Sequence, residues 1–490
     1  MKLCNIGHSF DYECEKLIRI FLPFEKIEII HTDTDTLPKA VCILEEGEKA
    51  ANISVSLYLN DKCEKESCKL NTDVLDFDKV CELKIATLLY FCFVRITGYK
   101  AKWGLLTGVR PAKLFSRMTD SIGLEKAEDY FKNTLFVDQN KISLCKSAIS
   151  GEKAITDLSR PNSFSLYFSV PFCPTRCSYC SFVSHSIDKA KNIIPKYVQL
   201  LCKELEETAK IAKRLNLRLE TVYMGGGTPT TLTAGQLETV LNTVNSSFDM
   251  SKVREFTVEA GRPDTITKEK LLAIKKCGVT RISVNPQTLN DAVLEGIGRK
   301  HTAKQTVDTF NLARDLGFDN INMDLIAGLP DDTIDSFKDT LKRIIELNPE
   351  SVTVHSLSLK RASSMSVNGE LPEIKAGNIA SDMVDFARGR LSEVGINPYY
   401  MYRQSKTVGN LENVGYAKCG FESLYNVYIM DETHTILACG ASAVTKLRQP
   451  RGNLIERIFN FKYPYEYIDR FEQIISRKQG ILDFYEKYPV

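Results

Sequence analysis

Three cysteines lie close together in one short segment of the chain. Cys173, Cys177 and Cys180 are separated by three and then two residues in the run Ser-Val-Pro-Phe-Cys-Pro-Thr-Arg-Cys-Ser-Tyr-Cys. Three thiolates on one loop can hold three irons of a 4Fe–4S cube and leave the fourth iron open to a ligand. An electron-transfer cluster would use four cysteines, so the spacing predicts chemistry at the open iron. The alternatives are buried apolar thiols or a zinc site with His185 as its fourth ligand.

The region from 161 to 360 alternates apolar runs with helical patterns. Six runs are typical of buried strands, at 165–170, 221–224, 256–260, 281–285, 321–326 and 351–359. Helices are predicted between them at 194–215, 234–244, 268–277, 303–316 and 335–347. Such βα units form a parallel sheet, and right-handed crossovers would curl six of them into a partial (β/α)6 barrel. In such barrels the loops after the strands carry the chemistry, and the three cysteines follow the first strand directly.

Two further regions flank the predicted barrel, so the fold class is α/β with α+β additions. Residues 1–160 form a predicted N-terminal α+β domain of unknown role, with a strand at 53–59 and a helix at 80–96. An ordered turn is predicted at 103–111, and a polar linker begins at residue 150. Residues 361–490 form a predicted C-terminal α+β cap that covers the substrate and begins with a helix at 379–394.

Composition excludes several classes of protein. The 490 residues carry a net charge of +2, so no global field favours nucleic acid or an anionic membrane as a partner. No apolar run is long enough to span a membrane, and no signal peptide is present, so we expect a cytoplasmic protein. The fifteen cysteines are then expected to be thiols rather than disulfides.

A glycine triplet follows the second predicted strand. Gly225, Gly226 and Gly227 precede Thr228. Glycines leave exposed N–H groups and let a ligand lie against bare backbone. A lone triplet is usually a turn, but this one stands at the end of a strand, one unit after the cysteine loop. We therefore predict a ligand-binding loop.

Polar side chains also follow the later strands. Glu259 ends the third strand, where burial of a carboxylate costs free energy unless it meets a cation or an N–H donor. A cofactor amino group or ribose would serve, and a salt bridge to a neighbouring loop is the alternative. Gln287 follows the fourth strand, Arg299 could pair with a carboxylate, and Asp324 could accept from hydroxyls or an amine. Their common position at the rim predicts a ligand site.

Cations surround the end of the sixth strand. Lys360 and Arg361 follow it, with Ser358 just before, and two cations suit an anionic substrate. A solvated basic pair is the alternative. Arg403 ends an aromatic run, Tyr399-Tyr400-Met401-Tyr402, that could receive a flat ring system with carboxylates. Packing of these tyrosines in a core explains the run equally well.

Together these residues resemble the oxygen-independent coproporphyrinogen III oxidase family of the radical S-adenosylmethionine (radical SAM) superfamily. The resemblance covers residues 165–450. It rests on the run from Tyr167 to Cys173, on the glycine loop from 225 to 230, and on the spacing of the rim residues. Residues 1–160, the run from 358 to 363 and the segments 400–404 and 412–416 are similar to the family's longer coproporphyrinogen dehydrogenase branch.

The resemblance implies roles for individual residues. The three cysteines would hold a 4Fe–4S cluster, and one or two SAM molecules would bind beside it. Tyr167, Gly226 and Glu259 would contact the SAM on the open iron, which makes Tyr167 and Glu259 the catalytic candidates. A second set matches positions that surround a further SAM: Tyr179, Gly227, Thr228, Gln287, Arg299 and Asp324. Ser358 would also contact a cofactor, and Lys360, Arg361 and Arg403 would contact the substrate.

The implied reaction is oxidative decarboxylation of two propionates of coproporphyrinogen III to vinyl groups. The implied partners are this tetrapyrrole and a reducing electron donor such as flavodoxin or ferredoxin. Two positions depart from patterns in the family: Phe182 stands where some members have a further cysteine, and Ser169 where some have a histidine. A heme-binding carrier, and a radical SAM enzyme acting on heme or another tetrapyrrole, therefore remain alternatives.

Overall fold

The computed structural model describes residues 1–181, 184–358, 374–404 and 406–490, and these residues form two compact units. The first unit comprises Met1–Cys145 with the described parts of Leu371–Asn378 and Arg403–Glu412. The second comprises the described parts of Lys146–Glu370, Ile379–Tyr402 and Asn413–Val490. In the described part of the chain, no helix has both the length and the apolar character needed to cross a membrane.

The first unit is built on a five-stranded sheet. Its strands are β1 (Lys2–Ile6), β2 (Glu28–Ile30), β3 (Lys39–Glu46), β4 (Ala50–Leu59) and β5 (Lys62–Asn71). Its helices are α1 (Asp11–Phe21), α2 (Phe77–Thr97), α3 (Pro111–Ile122), α4 (Leu124–Asp129) and α5 (Gln139–Thr156), the last of which continues into the second unit. The sheet order is β2-β1-β3-β4-β5, with β1 parallel to both neighbours and β3, β4 and β5 antiparallel.

A buried polar network organises the predicted turn at 103–111. Trp103 Nε1 donates to Glu412 Oε2 at 2.7 Å, and Lys141 Nζ donates to Glu412 Oε1 at 2.7 Å. Burial alone would raise the pKa of Glu412, but the Lys141 ammonium and both hydrogen bonds hold it below its usual value. Because the buried carboxylate meets two donors, the turn is ordered as predicted.

The second unit contains an open barrel of parallel strands. Its first strands are β6 (Ser163–Val170), β7 (Phe172–Cys173), β8 (His185–Ser186), β9 (Arg218–Gly226), β10 (Glu255–Gly261), β11 (Arg281–Val284), β12 (Ile321–Ala327) and β13 (Ser351–Ser356). The helices between them are α6 (Ile187–Ala190), α7 (Ile194–Arg214), α8 (Ala234–Ser247), α9 (Lys268–Lys276), α10 (Asp291–Gly296), α11 (Ala303–Asp315) and α12 (Ile334–Leu347). Strands β6, β9, β10, β11, β12 and β13 pair in parallel in that order.

The C-terminal region extends this sheet at both edges. Its strands are β14 (Asn397–Arg403), β15 (Glu412–Ala417), β16 (Thr435–Cys439), β17 (Val444–Arg448) and β18 (Ile455–Phe459). Its helices are α13 (Ile374–Glu393), α14 (Leu424–Asp431), α15 (Pro464–Asp469), α16 (Phe471–Arg477) and α17 (Gln479–Lys487). β15 pairs antiparallel with β13 and β16 pairs parallel with β6, so both open edges of the barrel are covered and the sheet has eleven strands.

The α/β class and the six parallel strands are confirmed. Most predicted strands and helices of the barrel begin and end within a few residues of the observed ones. Thr233 and Thr302 make capping boxes with Gln236 and Gln305, which explains where α8 and α11 begin. The prediction of a linker is wrong for residues 150–156, because α5 continues to Thr156.

Glu204 ties the C-terminal helices to the barrel. Its buried carboxylate on α7 accepts from the Gly440 N–H and the Tyr467 hydroxyl, both at 2.7 Å, and from Asn460 Nδ2 at 2.8 Å. Lys478 Nζ completes the set at 3.0 Å. Burial alone would lower the pKa of Lys478, but Cys439 and Glu204 leave it raised. Lys478 is therefore the cation that balances a fully buried carboxylate.

Substitution of Lys478 tests this arrangement. Lys478→Met should destabilise the second unit by about 3–5 kcal/mol, because Glu204 would remain buried without its cation. Lys487→Met, at an exposed position of α17, should change stability by less than about 0.5 kcal/mol. The measurement is urea denaturation followed by circular dichroism, since the single tryptophan, Trp103, lies in the first unit. Equal midpoints for the two variants would contradict the prediction.

Candidate active site

The cysteine loop is anchored to the segment after α10. Thr175 Oγ1 donates to the Gly298 carbonyl at 3.1 Å, and the Ser178 N–H donates to the Ile297 carbonyl at 3.1 Å. Cys177 is buried, whereas Cys173 and Cys180 are half-buried. The loop therefore presents two accessible thiols and one that is enclosed by protein.

The glycine loop after β9 lies directly against the cysteine loop. The Gly227 N–H donates to the Val170 carbonyl and the Thr228 N–H to the Phe172 carbonyl, both at 2.8 Å. These two N–H groups are therefore not open to a ligand, contrary to the reasoning from sequence. The loop instead forms one wall of the cysteine site.

Close approach explains why glycine stands at 226 and 227. Gly226 has a φ of +113°, and a Cβ there would lie 2.6 Å from Ser169 Oγ. A Cβ on Gly227 would lie 2.7 Å from the Phe172 carbonyl oxygen and 3.0 Å from Cys173 Sγ. Any side chain at Gly227 would push the two loops apart at the first cysteine.

Side-chain donors contact sulfurs of the cysteine loop. Thr228 Oγ1 donates to Cys173 Sγ at 3.5 Å, and Arg262 donates to Cys177 Sγ at 3.8 Å. Such donors stabilise thiolates, the form that binds iron. The thiol set and its donors thus fit a 4Fe–4S cluster.

A zinc site would need a different arrangement of ligands. A structural zinc ion needs four ligands around one point, whereas a cube binds each thiolate to a different iron. In the part of the chain that the structure describes, no three His, Cys, Asp or Glu side chains converge on one metal position. His185 instead lies edge-on to the rings of Tyr463 and Tyr465.

Three stacked tyrosines and a carboxyl group line the barrel interior beyond the cysteine loop. Tyr223 stacks on Tyr425 with ring centroids 4.4 Å apart, and Tyr167 lies parallel to both at 6.3 and 6.2 Å. The Tyr223 hydroxyl donates to Glu259 Oε1 at 2.6 Å. Tyr167 and Glu259, the two catalytic candidates, are therefore bridged by a tyrosine that the sequence analysis did not select.

The Glu259 carboxyl is poised between two protonation states. Protein atoms surround it, yet part of its surface is accessible, as expected for a group that lines an internal cavity. Burial raises its pKa to about 7, and the Asp324 charge adds to that effect. Hydrogen bonds from Tyr223 and the Gly226 N–H, and the charge of Arg281, act in the opposite direction. A ligand ammonium beside Glu259 would favour its ionised form.

Gln287 and Asp324 occupy neighbouring positions at the rim. The Gln287 N–H donates to the Asp324 carbonyl at 2.9 Å, and Gln287 has a φ of +69°. Asp324 Oδ1 accepts from Asn322 Nδ2 at 2.7 Å, and Oδ2 lies 4.0 Å from His355 Nε2. Asp324 and His355 are both partly accessible, so they can meet a ligand inside the barrel.

Arg299 is joined to the cysteine loop. Its guanidinium donates to the Asn285 carbonyl at 2.6 Å and to the Tyr179 hydroxyl at 3.1 Å. Burial alone would lower the pKa of Arg299, but Tyr179 and Cys177 raise it. Among the described residues, its buried Nε has no hydrogen-bond partner.

The residues predicted to contact the substrate do not all lie at the candidate site. Lys360 and Arg361 lie outside the described residues, and Ser358 is partly accessible two residues after β13. Arg403 requires a correction, because its buried guanidinium donates to the Leu106 carbonyl at 2.8 Å and stacks over Trp103. Burial lowers the pKa of Arg403 to about 10, and the side chain braces the first unit. Tyr399 and Tyr400 are buried in an apolar cluster, so for these two the core-packing alternative is correct.

Sequence signals existed for some of the residues that were missed. Tyr223 shares the alternation of Thr221 and Gly225 along β9, which places it on the same face as the first glycine. Arg262 follows β10 just as Gln287 follows β11, so the rule that selected Gln287 could have selected it. Tyr425 had no such signal, because it comes from a helix that only the tertiary structure brings to the barrel.

Comparison with known proteins agrees with this geometry. A model of the radical SAM superfamily matches residues 167–344. The oxygen-independent coproporphyrinogen-III oxidase-like protein HemZ of Bacillus subtilis is 39% identical over 391 residues, which is 79% of this chain and 78% of that protein. The chain belongs to the radical SAM coproporphyrinogen oxidase-like family. Membership implies a 4Fe–4S cluster and SAM.

Other relatives are more distant. The heme chaperone HemW of Bacillus subtilis is 32% identical over 282 residues, covering 56% of this chain and 70% of that protein. The structure of the Escherichia coli coproporphyrinogen III oxidase HemN, a radical SAM enzyme, matches with a TM-score of 0.52 and 22% identity. That match covers 66% of this chain and 72% of HemN and confirms the fold.

The contact between the glycine and cysteine loops can be tested with one methyl group. Gly227→Ala should strongly reduce the iron and sulfide retained after anaerobic reconstitution, because its Cβ would displace Cys173 and Phe172. Gly235→Ala is the matched control, since nothing lies within 4 Å of the position that its methyl group would take on α8. Wild-type iron content in Gly227→Ala would disprove the role assigned to this contact.

The Tyr223 hydrogen bond should set the pH dependence of SAM affinity. If Glu259 contacts SAM, affinity should rise as pH increases through about 7, where the carboxyl ionises. Tyr223→Phe removes a donor to the carboxylate, which is worth about 1.5–3 kcal/mol, so the midpoint should move up by about one to two pH units. Equilibrium dialysis of SAM across pH measures it. Tyr425→Phe keeps the stack and should leave the midpoint in place; superimposed profiles for wild type and Tyr223→Phe would refute the prediction.

Proposed function

We propose that the protein is a coproporphyrinogen III dehydrogenase that converts two propionate side chains to vinyl groups and yields protoporphyrinogen IX. The observation that carries the proposal is that the glycine loop contacts both Cys173, through Gly227, and Glu259, through the Gly226 N–H, so the three-cysteine loop lies beside the tyrosines and the carboxyl group. The 39% identity to a coproporphyrinogen-III oxidase-like protein supports the same chemistry.

Residues of the chain would have separate roles in binding and orienting the reactants. The cluster and SAM, when bound, would supply the carbon radical that removes a hydrogen atom from a propionate β-carbon, and loss of carbon dioxide and of one electron to an acceptor would complete the vinyl group. Glu259 would hold the SAM ammonium, and Tyr167 with the tyrosine stack would exclude water from the reacting carbon. Arg299 and Asp324 would orient a carboxylate and hydroxyls beside it.

Recognition of the substrate requires cations that match its propionate groups. Each propionate carries a negative charge, and Lys360 and Arg361 follow the sixth strand in the sequence. We propose that these two cations bind propionates, with a reducing protein such as flavodoxin or ferredoxin as the electron donor. Arg403 is not part of this site, because it braces the first unit.

An anaerobic turnover assay tests the proposal. Reconstituted protein with SAM, dithionite and coproporphyrinogen III should yield a tetrapyrrole that has lost two formic acid masses, with one 5′-deoxyadenosine for each loss. Cys177→Ala should abolish both products, because a cube held by two thiolates is labile. Mass spectrometry of the tetrapyrrole and chromatography of the nucleoside measure them. Deoxyadenosine without any change in coproporphyrinogen would reject the dehydrogenase.

A heme carrier is the second candidate, and the 32% identity to a heme chaperone favours it. That relative covers 56% of this chain, against 79% for the oxidase-like relative. A carrier should bind heme with a shift of the Soret band and leave coproporphyrinogen unchanged. A third candidate, a radical SAM enzyme acting on heme, would give methylated or ring-opened heme when heme replaces coproporphyrinogen III in the turnover assay.

A further inference from the structure

Arg262 lies at the cysteine loop, and the proposed reaction makes no use of it. It follows β10, and its side chain is 4% exposed. One terminal nitrogen donates to Thr175 Oγ1 at 2.7 Å, to the Thr175 carbonyl at 3.2 Å and to Cys177 Sγ at 3.8 Å. A single guanidinium nitrogen thus contacts both the backbone of the loop and the sulfur of its buried cysteine.

The other side of the guanidinium is held by a carboxylate. Arg262 Nε and its second terminal nitrogen donate to the two oxygens of Asp264 at 3.0 and 2.8 Å. Burial alone would raise the pKa of Asp264, but Arg262 lowers it. This bidentate pair fixes the plane of the guanidinium, so the nitrogen that faces Cys177 cannot swing away.

We propose that Arg262 is a positioning residue that raises the reduction potential of the cluster held by Cys177, and that Asp264 moderates this effect. A reduced cluster carries one more negative charge than an oxidised one. A buried cation with an N–H donor at a ligating sulfur therefore stabilises the reduced form more than the oxidised form. A buried carboxylate behind the cation acts in the opposite direction. The inference concerns the cysteine loop alone and does not depend on the tetrapyrrole.

We expect substitutions of Arg262 and Asp264 to shift the reduction potential of the cluster in opposite directions. Arg262→Gln removes the charge and keeps a neutral side chain of similar shape, so the cluster should become harder to reduce. The ratio of reduced to oxidised cluster at a fixed potential should fall on the order of tenfold, which corresponds to 59 mV for one electron. Asp264→Asn removes the opposing charge, so the same ratio should rise.

The experiment is a potentiometric titration of the anaerobically reconstituted full chain, with dithionite as the reductant and without SAM or tetrapyrrole. The signal is the electron paramagnetic resonance of the reduced cluster, normalised to the iron content of each variant. Arg314→Gln is the control, because Arg314 also pairs with a carboxylate: one of its terminal nitrogens donates to both oxygens of Glu350, which precedes β13 at the strand ends away from the cysteine loop. Its potential should equal that of the wild type.

Opposite shifts in Arg262→Gln and Asp264→Asn, with no shift in Arg314→Gln, would establish the proposal. Shifts in the same direction, unchanged potentials, or an equal shift in Arg314→Gln would overturn it. If Arg262→Gln does not retain the cluster, Asp264→Asn decides: a higher potential supports the proposal and an unchanged or lower one refutes it. Because no substrate is present, the result is independent of the turnover assay.

Discussion

The candidate site depends on the contact between two loops that leave neighbouring parallel strands. Gly227 lies so close to Phe172 and Cys173 that a single methyl group would occupy the same space as their atoms. Two backbone hydrogen bonds of 2.8 Å, from Gly227 and Thr228, join the glycine loop to the end of β6 and to the cysteine loop. The first cysteine is therefore placed by backbone geometry, and its position follows from the pairing of β6 with β9.

The other cysteines are placed by longer-range contacts. The loop around Cys177 is tied to Gly298 by Thr175 and to the end of β10 by Arg262. These contacts reach across several strands of the same sheet, so the loop is held by the barrel as a whole. The six strands pair directly with one another, and β15 and β16 extend their sheet beyond β13 and β6.

Desolvation determines the electrostatics inside the barrel. The charges of Asp324 and Arg281 both act on Glu259 and on Tyr223, whose side chains are surrounded by protein atoms. In such surroundings a carboxyl near neutrality can change its charge in response to a cationic ligand. Elsewhere in the second unit, the buried carboxylate of Glu204 is stabilised by hydrogen bonds and by the Lys478 ammonium, and this network is structural. The difference is that Glu259 keeps an accessible surface and Glu204 does not.

Local patterns in the sequence were sufficient for much of this protein. The cysteine loop was selected by the spacing of its three cysteines. Gly227, Glu259 and Arg299 were selected because they follow or end predicted strands, where barrels carry their chemistry. Both signals depend only on neighbours along the chain. Tertiary structure alone decided the rest. It placed Tyr425 on Tyr223, bound Arg403 to the carbonyls of a distant turn, and joined strands β15 and β16 to the barrel edges. A charge or an aromatic ring has the same appearance in a sequence whether it meets a ligand or a buried partner, and only the packing of distant segments determines which.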